Sequence, residues 1–373
     1  MAHRKLGKKL AVLAVTALVC FVGMTVAAQT SLSAAGADPV LAGAGDISSC
    51  ANDNDEATSV LLDGIAGSVF TLGDNVYETG SATEFATCYD PTWGRQKART
   101  HPTSGNHEYN TTGAMGYYGY FGAAAGDPAK GYYSWDVDAA WHIIVLNSEC
   151  TQIGGCAAGS PQEVWLRADL AANASKNVIA MMHKPLFSSG ANVTTTQALW
   201  DALYEYGADI VLTGHDHDYE RFAPQSPSGV ADGTFGIREF VVGTGGRSLS
   251  AFGTVKPNSE VRNNTTYGVL KLTLHASTYD WQFVPIAGQA FTDAGTTAVH
   301  GAPPPAMSTP TATPTATRTN TPPPTTTATP TPTATPAQSL GGIDEEAPVS
   351  SLPAPTVYGT SRATGVGIAL SAM

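Results

Sequence analysis

Two closely spaced histidines after an apolar run carry a strong chemical signal in this sequence. In "ADIVLTGHDH", His215 and His217 follow a predicted buried strand over 208–214. Side chains two residues apart in an extended chain point to the same side, so both imidazoles should face one target. Imidazoles paired in this way, with aspartates beside them, favour a metal site.

Further oxygen and nitrogen donors end other predicted strands. "AGAGD" ends in Asp46, "FTLGD" in Asp74 and "IAMMH" in His183, while "TSGNHEY" supplies Asn106 and His107. Each has an ordinary explanation alone, because aspartates after strands often cap helices and Gly-Asp-Asn is typical of turns. Sites in open α/β sheets form at the carboxyl ends of strands, so together these segments predict one site.

The predicted donors are too many for one structural ion. Two aspartates, one asparagine and three histidines suit a pair of ions about 3.5–4 Å apart. Asp74 is the natural bridge, with one carboxylate oxygen to each ion. Oxygen and nitrogen ligands without cysteine favour iron, zinc or manganese.

The elements that must position these donors alternate between strands and helices. Buried strands are predicted over 39–46, 68–74, 140–147, 177–183 and 208–214. Later runs, "REFVVGTGG", "YGVLKLTLHA" and "STYDWQFVP", read as further strands with shorter connections. This order predicts an α/β layered domain with a mixed central sheet over residues 39–300.

Two helices have clear sequence signals. The segment 160–172 begins with Ser160 as the N-cap, followed by proline at the first turn and by Glu163, which would close a capping box. The segment 194–207 is amphipathic and ends at Gly207.

The ordered motifs resemble those of a known family. "GD" (45–46), "GDNVY" (73–77), "GNHE" (105–108), His183 and "GHDH" (214–217) resemble the calcineurin-like metallophosphoesterases. The tyrosine that ends "GDNVY" narrows the resemblance to the purple acid phosphatase branch. The resemblance covers residues 39–285 and implies a layered α-β-β-α sandwich with mixed central sheets.

The resemblance also implies two half-sites that share Asp74. A ferric ion would be held by Asp46, Asp74, Tyr77 and His217. A divalent iron, zinc or manganese ion would be held by Asp74, Asn106, His183 and His215. Ser48 stands where the purple branch often has glycine, which puts the geometry of that loop in question.

The resemblance assigns further residues to the substrate. His107 looks like the outer-sphere histidine that binds a phosphate oxygen or protonates the leaving group. Asn106 would also meet the substrate, and Tyr219 either lines the pocket or packs the loops.

The implied function is hydrolysis of small phosphomonoesters by a hydroxide that the two ions activate. A phosphodiesterase or nucleotidase on the same scaffold is an alternative that the ligand set does not separate. A third reading is a non-catalytic surface module displayed on a stalk. The formal net charge of −12 argues against nucleic-acid binding, which needs a basic surface.

The ends of the chain suggest export. Residues 1–28 are basic and then apolar, and "VAA" suits cleavage of a signal peptide, although an uncleaved anchor is the alternative. Residues 302–337 are nearly all proline, threonine and alanine, which predicts an extended stalk that could associate with the cell envelope. Residues 338–373 have no predicted role, and the oligomeric state is not readable.

Four cysteines remain once the predicted signal is removed. An even number in an exported chain predicts two disulfides. Cys150 and Cys156 flank a short loop, which favours local closure and leaves Cys50 to pair with Cys88. A thiolate metal site is the alternative, but the spacing fits no zinc pattern.

Overall fold

The computed structural model describes residues 37–190 and 195–301, which form two packed sheets with helices on both outer faces. The α/β class and the layered arrangement agree with the sequence prediction. The predicted signal peptide, stalk and C-terminal tail lie outside the described residues. Within the described residues, no helix has the length and apolar character that crossing a membrane requires.

The described chain contains short strands and five α-helices. The strands are β1 Val40–Ala44, β2 Ser48–Ser49, β3 Ser68–Thr71, β4 Val76–Tyr77, β5 Thr100–His101, β6 Tyr133–Asp136, β7 Trp141–Val145, β8 Asn177–Met181, β9 Ile210–Thr213, β10 Tyr219–Phe222, β11 Arg238–Val242, β12 Ser259–Asn263, β13 Gly268–Leu274, β14 Thr278–Pro285 and β15 Ala294–Ala298. The α-helices are α1 Asn54–Asp63, α2 Ala82–Glu84, α3 Met115–Phe121, α4 Pro161–Ala172 and α5 Gln197–Glu205.

The strands divide into two large mixed sheets and a small parallel pair. One large sheet has the order β15-β14-β13-β1-β3-β5, and the other has the order β12-β10-β11-β9-β8-β7-β6, while β2 pairs with β4. Strands β1, β3 and β5 are parallel, as are β7, β8, β9 and β11. The two large sheets agree with the α-β-β-α sandwich that the resemblance implies, whereas the strand pattern alone suggested one central sheet. An apolar run shows that a strand is buried but not which strand lies beside it.

The central strands of the seven-stranded sheet are buried on both faces. Ile143 and Val145 belong to the core between the sheets, whereas Ile144 joins the apolar cluster that includes Leu166 of α4 and Leu203 of α5. On the other side of the sandwich, α1 packs against β13. Burial on both faces explains why these strands read as continuous apolar runs rather than as alternating ones.

The predicted helices form, with one correction in their capping. Ser160 accepts a hydrogen bond from the backbone N–H of Glu163 at 3.4 Å, as an N-cap should. The Glu163 carboxylate accepts from the N–H of Gly159 at 2.9 Å, so the predicted capping box is only half formed. Helix α5 begins at Gln197 and ends before Gly207, whose φ of 76° stops it.

Two disulfides hold loops of the described chain. They join Cys50 to Cys88 and Cys150 to Cys156, the pairing expected from the sequence. The first links the loop after β2 to the helical turn Phe85–Tyr89. The second closes the short loop before α4.

Candidate metal centre

The predicted donors converge where the parallel strands of both sheets end. The two sheets turn the carboxyl ends of five strands toward one another, so their loops form a common site. The donors lie as follows: Asp46 after β1, Asp74 after β3, Tyr77 in β4, Asn106 after β5, His183 after β8, and His215 and His217 after β9.

Unusual backbone conformations aim several of these side chains. Asp46, Asp74 and His215 have φ angles of 58°, 48° and 69°, in the left-handed region that side chains other than glycine rarely adopt. Strain of this kind persists where the surrounding structure holds it, and it clusters at functional sites.

Glycines beside the donors permit their close approach. A Cβ added to Gly105 would lie 2.3 Å from Oδ1 of Asp74, and one added to Gly73 would lie 2.5 Å from Nδ1 of His183. Neither position can hold a larger residue without displacing a donor. The glycines in "GDNVY" and "GNHE" are therefore part of the geometry of the site.

The first donor group consists of Asp46, Tyr77 and His217 together with Asp74. The Tyr77 hydroxyl lies 2.7 Å from Oδ1 of Asp46 and 3.1 Å from Oδ2 of Asp74. Nε2 of His217 lies 3.2 Å from the Tyr77 hydroxyl and 3.3 Å from Oδ1 of Asp46. These four donor atoms face one small space.

The second donor group consists of Asn106, His183 and His215, again with Asp74. Nε2 of His183 lies 3.1 Å from Oδ1 of Asn106 and 3.2 Å from Nδ1 of His215. The same nitrogen lies 3.4 Å from Oδ2 of Asp74.

Both donor groups fit a metal ion. Ligand atoms about 2.1 Å from one octahedral ion lie about 3 Å from their neighbours, which agrees with the separations in each group. Donor atoms of Asp46, Asp74 and His183 also lie within 4.8 Å of one another. The residues present are therefore suited to two ions side by side.

Asp74 joins the two groups through a single oxygen. Its Oδ2 faces both groups, while its Oδ1 accepts a hydrogen bond from the backbone N–H of His107 at 2.8 Å. The sequence suggested one carboxylate oxygen for each ion, but in this structure Oδ2 alone faces both donor groups. The second oxygen is used to fix the carboxylate instead.

Backbone carbonyls orient two of the imidazoles. Nδ1 of His183 lies 2.8 Å from the carbonyl of Leu72, and Nδ1 of His217 lies 2.7 Å from the carbonyl of Ser248. A carbonyl can only accept, so each Nδ1 carries a proton, and in the neutral ring each Nε2 presents a lone pair. A metal-binding histidine is commonly held by such an outer hydrogen bond.

A family model described as calcineurin-like phosphoesterase matches residues 40–219. This range contains every residue of both donor groups. Over these residues the chain is similar to the calcineurin-like phosphoesterases. The α-β-β-α architecture with mixed sheets is the fold expected for this family.

The chain is also similar to purple acid phosphatases. Purple acid phosphatase 22 of Arabidopsis thaliana is 31% identical over 162 residues, covering 38% of this chain and 34% of the relative. Acid phosphatase type 7 of Homo sapiens is 31% identical over 145 residues, covering 32% of each chain. The matched part is thus about a third of these relatives' own length.

A solved structure shares the fold. Purple acid phosphatase PPD1 from yellow lupin aligns with a TM-score of 0.55 at 21% identity, over 71% of this chain and 54% of that one. At this identity the likeness shows the fold alone.

The electrostatics of this site favour positive charge. Burial opposes charge on Asp74, but the neighbouring His183 and His107 hold the pKa of that carboxyl well below its usual range. Burial likewise opposes charge on His183 and His217, yet Asp74 and Asp46 raise the pKa of His183 to about 10 and that of His217 to about 9. Protons and metal cations would therefore compete for the same negative field.

The Tyr77 phenol, by contrast, resists ionisation in this site. Burial, with the charges of Asp46 and Asp74, raises the pKa of the Tyr77 phenol well above its ordinary value. A phenolate at this position therefore needs a cation of high charge beside it. The location fits a ligand that ionises only when the metal is bound.

His107 lies at the edge of the centre with one nitrogen directed inward. Nδ1 lies 2.7 Å from the carbonyl of Glu78, so it carries a proton, and Nε2 lies 3.9 Å from Oδ2 of Asp74. The ring packs against Tyr77 with a centroid separation of 4.3 Å. Nε2 is thus free to take up or give a proton at the centre.

Sequence reasoning gave no role to Glu108. Its buried carboxylate accepts backbone N–H groups from Asp74 at 3.0 Å, Asn75 at 2.7 Å and Gly105 at 2.6 Å. It therefore ties the loop after β3 to the loop after β5. The only sequence signal was a charged residue beside a predicted ligand, and its partners are backbone groups that no residue pattern reveals.

The structure corrects the prediction that Tyr219 contacts the substrate. Its side chain is fully buried, and its hydroxyl donates to Oδ2 of Asp293 at 2.8 Å. The neighbouring Arg221 donates to the same carboxylate oxygen at 2.6 Å. Tyr219 therefore belongs to the hydrophobic core and presents no surface to a substrate.

Ser48, which stands where purple acid phosphatases often have glycine, helps to hold the loop after Asp46. Its hydroxyl donates to Oδ2 of Asp55 at 2.6 Å, and its backbone N–H donates to the carbonyl of Asn75 at 3.0 Å. The loop after Asp46 is therefore held by a buried hydrogen bond from the serine side chain.

Proposed function

We propose that this chain is an exported acid-phosphatase-like enzyme that hydrolyses phosphomonoesters with two metal ions. The observation that carries the proposal is the position of Asp74 Oδ2, which lies between two groups of donors with ligand-like spacing. Similarity to phosphoesterases and acid phosphatases supports metal-dependent hydrolysis.

The two donor groups suit ions of different charge. The first group contributes the carboxylate of Asp46 and the phenol of Tyr77, which as anionic oxygens are hard donors that favour Fe(III). The second group contributes neutral donors from Asn106, His183 and His215, which suit a divalent iron, zinc or manganese ion. The pair would then consist of one trivalent and one divalent ion, and both ions would share the carboxylate of Asp74.

The chain's own residues prepare the reaction. When bound, the two ions lower the pKa of a coordinated water and neutralise the oxygens of the phosphate. The Nδ1–H of His107 is held by the Glu78 carbonyl, which directs Nε2 toward the centre; with both nitrogens protonated, Nε2 would donate its proton to the departing alkoxide. The backbone N–H of His107 meanwhile holds Asp74 in place, which keeps the shared oxygen between the donor groups.

The N-terminal segment and the disulfides both support export. The basic and apolar character of residues 1–28 is that of a secretory signal. Two disulfides are typical of oxidising compartments outside the cytosol. The proline- and threonine-rich residues 302–337 would then be the stalk through which the protein associates with the cell envelope.

Metal analysis and a pair of substrates test the proposal. Purified chain should contain about two ions, and the metal-loaded protein should hydrolyse p-nitrophenyl phosphate faster than bis(p-nitrophenyl) phosphate. Preference for the diester would favour the phosphodiesterase alternative. A chain that binds no metal and hydrolyses neither ester would support the non-catalytic surface module.

A further inference from the structure

The metal centre opens to solvent on the side of the Tyr77 ring. The side chains of His107, His217 and Arg247 are 24%, 19% and 25% exposed, whereas those of Asp46 and Asp74 are almost fully buried. All three exposed groups contact the same ring, with the ring centroids of His107 and His217 at 4.3 and 5.9 Å from that of Tyr77. A substrate that approaches from this side meets these groups.

Arg247 lies over this entrance in a defined position. Its guanidinium carbon lies 4.8 Å from the centroid of the Tyr77 ring, in cation–π contact. Nη2 pairs with Oε1 of Glu78 at 2.8 Å, and Nη1 donates to the hydroxyl of Ser49 at 3.4 Å. Its backbone N–H donates to the carbonyl of Asp46 at 2.9 Å, which ties the arginine directly to the first donor group.

The ion pair between Arg247 and Glu78 is weak enough for another anion to replace Glu78. Glu78 is 59% exposed, so this ion pair is screened by solvent and contributes little. The other cation beside the centre, Lys184, pairs instead with the mostly buried Glu149 at 2.8 Å. An anion arriving at the entrance can therefore replace Glu78 more readily than it can replace Glu149.

The remaining N–H groups of Arg247 suit a phosphate. A guanidinium presents five N–H donors in a planar fork, and the two side-chain contacts described above occupy only part of it. Arginine forks match the oxygens of phosphate with two parallel hydrogen bonds. The site as predicted from the sequence did not include this residue.

We propose that Arg247 binds the phosphate group of the substrate at the mouth of the centre and favours dianionic monoesters over monoanionic diesters. The inference rests on the proposed function and specifies the charge of its substrate. The preference follows from Coulomb's law, because a fixed positive charge attracts a dianion about twice as strongly as a monoanion. Glu78 acts as the counterion that holds the guanidinium in place until the phosphate replaces it.

The test compares substitutions of Arg247 with a matched arginine elsewhere. Arg247→Gln removes the charge, and Arg247→Lys keeps the charge but loses the fork. Arg95→Gln is the control, because Arg95 is a similarly exposed arginine paired with a glutamate, Glu56, outside the site. Metal content by elemental analysis, inorganic phosphate binding by calorimetry, and kcat and KM for a monoester and a diester are measured for each.

We expect Arg247→Gln to retain both ions, to bind inorganic phosphate about tenfold more weakly and to raise KM for the monoester by a similar factor. The loss for the diester should be smaller, Arg247→Lys should be intermediate, and Arg95→Gln should match the wild type. Glu78→Gln should tighten phosphate binding, because it removes the competing carboxylate.

Two results would overturn the role of Arg247. One is phosphate binding by Arg247→Gln equal to that of the wild type, and the other is loss of metal from this variant, which would assign Arg247 to the metal centre alone. The proposed function fails separately, if wild-type protein with two bound ions hydrolyses none of the esters. The phosphate titration would still decide the role of Arg247 in that case.

Discussion

The two donor groups have similar numbers of donors but different charge. Apart from the shared Asp74, the first group holds an aspartate, an ionisable phenol and one imidazole, whereas the second holds an amide and two imidazoles. Their spacing is nearly the same, with contacts of 2.7–3.3 Å in the first group and 3.1–3.4 Å in the second. The difference indicates that charge, more than distance, would decide which ion each group takes.

The same comparison separates the two histidines of "GHDH". Nδ1 of His215 lies 3.2 Å from His183 in the second group, while Nε2 of His217 lies 3.2 Å from Tyr77 in the first. The prediction that both imidazoles face one target assumed an extended backbone, and the φ of 69° at His215 breaks that geometry. A tight turn thus distributes neighbouring residues between two ligand sets.

Loss of the shared carboxylate should have the largest effect. Asp74→Asn removes the negative charge between the donor groups, so we expect loss of both ions and a fall in kcat/KM of about 10³-fold or more. Elemental analysis and monoester hydrolysis measure the two effects. Retention of two ions with near-normal turnover would show that Asp74 does not join the groups.

Loss of one imidazole from the second group should be selective. His215→Ala is expected to release the divalent ion, to keep the ion of the first group and to lower turnover about 10²- to 10³-fold, because one ion can no longer hold the phosphate in line. Circular dichroism should show an intact fold. Full turnover, or equal loss of both ions, would contradict the division into two groups.

Loss of the phenol should test the charge difference directly. Tyr77→Phe keeps the aromatic packing but removes the hydroxyl, so we expect loss of a visible charge-transfer band and a fall in turnover of about tenfold. Visible absorption of the wild-type and variant proteins is the measurement. A wild type that is colourless with both ions bound would favour zinc or manganese in the first group.

A histidine remote from the centre should have the smallest effect. His142 is buried, which alone would lower its pKa, but hydrogen bonds to Asp169 at 2.8 Å and Asp136 at 2.7 Å raise the pKa above its ordinary value. Its contribution to stability is therefore complete below the unfolded-state pKa of about 6.5 and is lost as pH rises through the folded pKa.

His142→Gln should consequently lower the free energy of unfolding by about 1 kcal/mol at pH 6, and by less at pH 9. Chemical denaturation at both pH values is the measurement, and Lys176, which donates to Asp136 at 2.6 Å, is left unchanged. Metal content should stay at the wild-type value. An equal loss of stability at both pH values would show that the charge of His142 is not involved.

Some of the centre could be predicted because its residue types are informative in themselves. Asp46, Asp74 and His183 end apolar runs, and the ends of strands in this fold class converge. Glu108 and Arg247 could not be found in this way, since their partners are backbone N–H groups and a ring distant in sequence. Tyr219 was misassigned because proximity to a ligand in sequence does not reveal which way a strand residue points.

The sequence by itself determined the α/β class, the buried strands and the donor types, because these depend on local apolar patterning and on the chemistry of single side chains. The tertiary structure decided that the strands form two sheets, that Asp74 joins the donor groups through one oxygen, and that Arg247 lies over Tyr77. These features depend on contacts between segments far apart in the chain, and the direction of a side chain in such a contact is set by packing rather than by its neighbours in sequence.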